Sequence, residues 1–386
     1  MSWRYFRLTP LNPLISRDSR PFGMNQGNRA RSLNWLSQSV LAGAFRTAIW
    51  KEDSRLTPEQ LKTVEVSGGF PVLGGKVYFP RPLDALILSQ DEKRRRTELL
   101  SVRPMEREGL GVRMPLEGIS PSAPVDMPSE DFKPEPGDAF WSAETMTRWL
   151  ERENSSKCEF ELDSLPYPAK EERTNVTIEP ISGVAEDTKL FSTVNLNFNV
   201  KVNAPIPSEY WFEQFQVAAR VSCNEHDLLS EEFLVPLGGE RRLTRVEEND
   251  DTKFWEPSSS LISKVKGCKR LRMVLATPAI FSKGWLPGWL EEKDGKVLGT
   301  IPWSGVTVCL RSAVVGRWRP ISGWSYEKGK NGPKALRRMV PEGSVYFFEV
   351  EGGEADLEKL WLSSVCDDLQ DQRDGFGLAL WGPWGL

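Results

Sequence analysis

The chain has 386 residues, of which 39% are hydrophobic, 27% charged and 10% aromatic, with a formal net charge of -4. That length holds one large or two to three ordinary domains, each able to bury a core, and the composition excludes a predominantly disordered chain. No apolar run reaches the ~18 residues of a membrane helix, and Arg4 and Arg7 stand where a signal peptide needs an apolar core, so a cytoplasmic protein is expected.

Trp3 to Leu8 reads as an opening strand, followed by a loop, Asn12 to Asn34, rich in Pro, Gly, Ser, Asn and Arg. Ser37 is suited to cap the next helix, where Val40, Leu41, Ala44, Phe45, Ala48 and Ile49 recur at helical spacing. Strand, basic loop and helix form a βα unit whose loop opens beside a helix N-terminus, a natural place for an anion. Gly68 to Leu88 has strand character, with turns at Gly74-Gly75 and Pro80-Arg81-Pro82. Residues 89–138 read as an insertion, of which Ser120 to Asp138 is rich in Pro, Ser and acids, and a short helix spans Ser142 to Glu151. Thr174 to Glu179 and Leu190 to Val202, joined by a polar turn, predict a β-hairpin in which Val194, Leu196, Phe198 and Val200 alternate with polar residues. A second round follows: a strand over Phe215 to Cys223, a Gly-Gly-Glu-Arg-Arg turn at 238–242, a helix near Ser258 to Lys264 and strands at Arg270 to Ala276, Gly305 to Val315 and Ser344 to Val350. A helix over Ala355 to Leu369 and an apolar run, Leu378 to Trp381, complete it. The two rounds predict an α+β protein of two domains, 1–204 and 205–386.

The charge is unevenly spread. Residues 1–50 hold seven basic side chains against one acid, residues 311–338 hold eight against one, and the rest of the chain carries a net -17. That asymmetry fits a concentrated path for a polyanion, with solvated surface faces as the plain alternative. The five cysteines, Cys158, Cys223, Cys268, Cys309 and Cys366, lack zinc-knuckle spacing, and their odd number argues against a disulfide scaffold. His226 is the only histidine, which excludes two-His metal sites and leaves any Ser/His/Asp or Cys/His engine dependent on a residue with no nucleophile signature around it.

The tail Asp374-Gly375-Phe376-Gly377-Leu378-Ala379-Leu380-Trp381-Gly382 puts a glycine-rich turn before a terminal strand, where backbone N–H groups can approach phosphate and Phe376 could stack on a base. A glycine-rich loop before the last strand resembles the signature of the RAMP superfamily of CRISPR proteins. Pro13 to Phe22, with Arg17, Asp18 and Arg20, followed by Ser39 to Thr47, resembles that superfamily's first arginine loop and Gly-x-x-Arg helix. Thr174 to Phe191 resembles its hairpin and Leu237 to Arg242 its glycine turn. Ala276 to Trp285, Ser322-Gly323-Trp324, Pro333-Lys334 and Val340 to Tyr346 continue the series in order. Together they resemble the RAMP subunit that caps the 5′ end of the guide RNA in the type III-B, or Cmr, effector complex. Ser19 stands where relatives usually have glycine, and 89–138 matches nothing in the family.

The resemblance implies two fused ferredoxin-like (RRM-like) domains, a hairpin thumb at 174–193, and a glycine-rich loop at 374–382. It also implies no catalysis; no metal, cofactor or membrane is expected from the cysteine and histidine pattern and the lack of an apolar run. Its implied partners are the crRNA 5′ handle, the large polymerase-type subunit, the backbone RAMP subunit and target RNA near the thumb. A single-stranded handle is held by cations on phosphates and by stacking on splayed bases. The residues expected at RNA are Arg17, Arg20 and Arg46; Thr174 and Lys189 of the hairpin; Gly238, Gly239, Arg241 and Arg242 of the turn; Arg317, Trp324, Lys334, Arg337 and Arg338; and Gly375, Phe376 and Gly377. Trp285, Trp289, Trp303 and Trp318 are further stacking candidates, although most tryptophans are expected in cores or protein interfaces. The alternative is a stand-alone RAMP endonuclease that processes precursor crRNA through His226.

Overall fold

The helical spacing of Leu41, Ala44, Phe45, Ala48 and Ile49 produces the helix Gln38–Glu52, preceded by Ser37 in extended backbone, and all five side chains are buried. The computed structural model describes residues 3–18, 29–90, 97–105, 112–125, 133–152, 157–203, 210–222, 228–325 and 332–385. The chain divides into two units, each discontinuous in sequence: Met1–Gly75, Tyr167–Asp250 and Pro320–Arg337 in one, Lys76–Pro166, Asp251–Arg319 and Arg338–Leu386 in the other. The division therefore does not fall at residue 205. Strands formed after that point pair with the first strand of the chain, and 76–166 belongs with the C-terminal half.

In the first unit, Glu65–Leu73, Gln216–Ser222, Arg4–Pro10 and Leu243–Glu248 lie side by side, every neighbouring pair antiparallel, with Glu232–Pro236 at the edge. Counting those first four strands in chain order, the sheet runs 2-3-1-4. The helix Gln38–Glu52 covers it, and Phe45 meets Phe6 of the central strand with ring centroids 5.4 Å apart. Each large apolar side chain buried here is worth about 1.5–3 kcal/mol relative to exposure. The hairpin Ala169–Ile178 and Ala185–Asn197 is longer than 174–193. Val194, Leu196 and Phe198 are buried as expected and Val200 partly so, but Thr193 and Asn195 between them are buried as well, so both faces of the strand are covered there; Ile178, Ile181, Val184 and Leu190 remain exposed at the far end.

In the second unit, Thr307–Val314, Val345–Gly352, Arg270–Leu275 and Leu378–Pro383 repeat the antiparallel 2-3-1-4 order. The segment expected as an insertion of unknown role supplies the strand Thr97–Pro104, which is almost wholly buried. Its Arg103 donates from Nη1 to Asp84 Oδ2 at 2.7 Å, and Arg272 Nη1 reaches the same oxygen at 2.8 Å. Trp149 Nε1 donates to Asp84 Oδ1 at 2.9 Å, and Arg272 also donates to the Trp149 carbonyl. Burial pulls the Arg272 guanidinium down to about 10 against the raising effect of Asp84. One carboxylate, just ahead of the inserted region, thus joins that region's strand, the capped helix Ala143–Leu150 and the central strand of the sheet.

The expected helix Ala355 to Leu369 is broken. Leu357–Leu360 forms one turn, Leu362 takes a φ of 52°, and Ser363–Ser364 pairs with Leu378–Pro383 before Asp368 caps a second short helix, Leu369–Arg373. Pairing of the serines with the terminal strand wins over local helical propensity.

Candidate nucleic-acid interface

The basic loop of the first unit is built on paired backbone. Asp18 N–H donates to the Arg31 carbonyl at 2.9 Å and Leu33 N–H to the Ser16 carbonyl at 2.7 Å, so the loop's two arms lie together with Arg17 and Arg31 exposed. Leu14 and Leu196 exchange backbone hydrogen bonds of 3.0 and 2.7 Å, which tie one arm to the hairpin. On that same arm, the Ile15 carbonyl accepts Gly239 N–H at 2.7 Å. Gly238 has a φ of 77°, and a Cβ there would fall 2.4 Å from the Ile15 oxygen, so glycine is required by both backbone and space. The arginine loop is held between the hairpin and the turn 238–242. Arg17, Gly238, Gly239, Arg241 and Arg242 therefore come together, with Arg241 exposed at a φ of 51° and Arg242 paired to Glu240 at 2.6 Å. Arg20 lies outside the described residues, as does His226.

The other expected residues divide. Thr174 is exposed on the hairpin, and Lys189 is half-buried and paired with Glu186. Lys334 is exposed and its N–H donates to the Gly323 carbonyl at 2.8 Å; Arg337 is also exposed. The backbone of Trp324 pairs with Pro333, while its side chain is outside the described set. In the second unit, Arg317 is exposed and the Arg338 guanidinium sits 4.9 Å from the centre of the half-exposed Trp318 ring, a preformed cation–π pair.

Arg46, half-buried, turns its Nη2 to the Val64 carbonyl at 2.8 Å, joining its helix to the residue before the next strand. One expectation needs correction. The tail turn faces inward: Phe376 is 1% exposed, Gly375 and Gly377 are buried, and the Gly375 carbonyl accepts the Thr277 hydroxyl at 2.8 Å. Gly377 has a φ of 69° and a Cβ there would lie 2.6 Å from Cys366 Sγ, so both backbone and space call for glycine. These glycines serve close packing, and Phe376 has no face to offer a base.

Sequence reasoning did not single out Arg29 and Arg31, whose signal was the basic excess of residues 1–50. Arg29 forms an ion pair with Glu172 of the hairpin, linking loop and hairpin a second time. Among the described residues no group of three or more His, Cys, Asp or Glu side chains is placed to hold a metal, and no helix is long and apolar enough to cross a membrane.

The family profile of CRISPR-associated protein (Cas_Cmr3) matches residues 6–384. The chain belongs to the Cmr3 family. The resemblance of its ordered motifs to a RAMP subunit of type III-B Cmr complexes is borne out. No curated relative matches. This Cmr3-family chain is similar to a chain in the cryo-EM structure of the type III-B Cmr-beta bound to cognate target RNA and AMPPnP, at 13% identity and a TM-score of 0.46, over 89% of this chain and 86% of that one. The same figures hold for a chain of the form bound to cognate target RNA. A chain of the Csm3–Csm4 subcomplex of the type III-A interference complex is similar at 11% identity and a TM-score of 0.34, over 92% of this chain and 95% of that one.

Proposed function

We propose that this Cmr3-family subunit holds the repeat-derived 5′ handle of the crRNA without catalysing a reaction, and bridges the large polymerase-type subunit to the backbone filament. The observation that carries the reading is the pinning of the arginine loop between hairpin and glycine turn, which gathers Arg17, Arg31, Arg241 and Arg242 at one edge of the first unit. Such an edge suits the phosphates of a single strand, because each neutralised phosphate releases condensed counterions. The 2-3-1-4 antiparallel order in each unit supports reading both as ferredoxin-like, and the long hairpin as the thumb near target RNA. Trp318 beside Arg338 gives a second, stacking contact, with a phosphate neighbour in Arg317. Lys334 and Arg337 add exposed basic side chains to the first unit.

The test is charge reversal at Arg17 and Arg241 within the assembled complex. Guide-RNA content per complex falls while the thermal unfolding of the chain stays unchanged, and the salt dependence of handle binding loses roughly 0.7 per removed contact in its log–log slope. Unchanged RNA content refutes the handle assignment. Cleavage of repeat RNA by the isolated chain, abolished by His226→Ala, refutes the non-catalytic reading.

A further inference from the structure

Two tryptophans of the second unit are strongly exposed, and their surroundings differ in sign. Trp318 lies beside Arg317 and under Arg338. Trp303 is 70% exposed, the more open of the two, in the turn between the strands Lys296–Thr300 and Thr307–Val314. It takes a φ of 65°, a conformation a bulky side chain adopts only when its surroundings impose it.

The surroundings do impose it. Ile301 N–H donates to the Val306 carbonyl at 2.9 Å, closing the turn, and both side chains are buried at its base. The Ser304 hydroxyl donates to the Ile301 carbonyl at 2.9 Å while accepting Val306 N–H at 3.0 Å. Gly353 packs against Gly305 so closely that a Cβ there would sit 3.0 Å from the Gly305 carbonyl oxygen. The turn is therefore locked at its base and holds the indole outward, with its ordering cost already met before any partner arrives.

The segment behind it is acidic. The stretch whose Gly353 meets the turn carries Glu351, Glu354, Asp356 and Glu358; Lys296 reaches Glu351 and Lys359 pairs with Asp356, which leaves Glu354 and Glu358 as its exposed excess of negative charge. An acidic rim repels RNA phosphates and attracts basic protein side chains. A preordered, exposed indole on a turn that packs beside exposed carboxylates has the make-up of an interface hot spot.

We propose that Trp303 is a protein-docking anchor that inserts into an apolar socket edged by lysine and arginine on a neighbouring subunit, on a surface that RNA does not touch. The proposal rests on the reading of the chain as a bridging subunit, and names the patch through which one protein neighbour is held.

The experiment places the photoreactive p-benzoyl-phenylalanine at position 303 of the tagged chain, assembles the full complex in cells, irradiates it and identifies the adduct by mass spectrometry. An adduct to a different protein subunit, at a peptide where apolar residues adjoin lysine or arginine, is the expected result. An adduct to RNA, to a second copy of this chain, or to nothing overturns it. In parallel, Trp303→Ala lowers recovery of that subunit at least tenfold after a salt wash, whereas Trp303→Phe retains most of it and guide-RNA content per chain stays at the wild-type level. Equal loss of subunit and RNA in Trp303→Ala overturns a protein-only anchor. Because guide-RNA content reports handle binding separately, failure of the anchor is distinguishable from failure of the handle assignment.

Discussion

Gly238 and Gly239 are neighbours in one turn, yet replacing each by alanine has very unequal consequences. At Gly238 the new Cβ would lie 2.4 Å from the Ile15 oxygen, a backbone atom, with the residue held at a φ of 77°. The alanine variant bears a backbone strain of about 1–3 kcal/mol. Relief of the clash also stretches the bond from Gly239 N–H to the Ile15 carbonyl, worth about 1 kcal/mol net. Together these make about 2–4 kcal/mol. At Gly239 the nearest neighbour of an added Cβ is the Ile15 side chain at 3.4 Å, an ordinary contact, and φ lies outside the left-handed region. Gly239→Ala therefore changes stability by less than about 1 kcal/mol. At roughly 2–4 °C per kcal/mol, Gly238→Ala melts several degrees below wild type and its turn separates from the arginine loop, lowering guide-RNA content. Gly239→Ala does neither. Thermal unfolding and RNA content of the two variants decide the matter, and indistinguishable behaviour refutes the claim that this backbone contact organises the interface.

Asp84→Ala leaves Arg103 and Arg272 buried without their shared carboxylate, which costs about 3–5 kcal/mol; chemical denaturation that shifts by less than about 1 kcal/mol would show the cluster to be dispensable. Phe376→Ala costs about 3–5 kcal/mol through a core cavity, and a conservative Phe376→Leu leaves RNA binding unchanged because the ring faces the interior. Loss of RNA affinity in a stably folded Phe376→Leu variant would restore the stacking role. Burial pushes the Cys366 thiol up to about 12, so the folded form binds a proton that the unfolded chain has released. This contribution is intact below pH ~8.5 and fades as pH rises toward 12. Alkylation of native protein at pH 8.5 spares Cys366 and reaches it only on unfolding, and rapid native labelling would contradict the burial.

What was legible in the sequence was local. Leu41 to Ile49 share one helical face, and Val194, Leu196 and Phe198 alternate, so helix and hairpin follow from spacing alone. Gly238 was legible as a turn because few residues tolerate that backbone, although its target, the Ile15 carbonyl, lies more than 200 residues away and no periodicity reports it. The same distance explains the misplaced boundary: Arg4–Pro10 pairs with Gln216–Ser222 and Leu243–Glu248, and such register is set only when the sheet assembles. Phe376 between two glycines looked like an exposed loop, but the tail turns inward because Gly377 fits against Cys366. Asp84 gave no signal at all, since its burial depends on arginines from two separate strands.

The most direct measurement is to tag the chain in its native host, purify it gently and sequence the RNA while identifying the proteins that accompany it. Short RNAs sharing one repeat-derived 5′ end, together with a large polymerase-type subunit, are the predicted result. Recovery as a lone protein free of RNA would contradict the account.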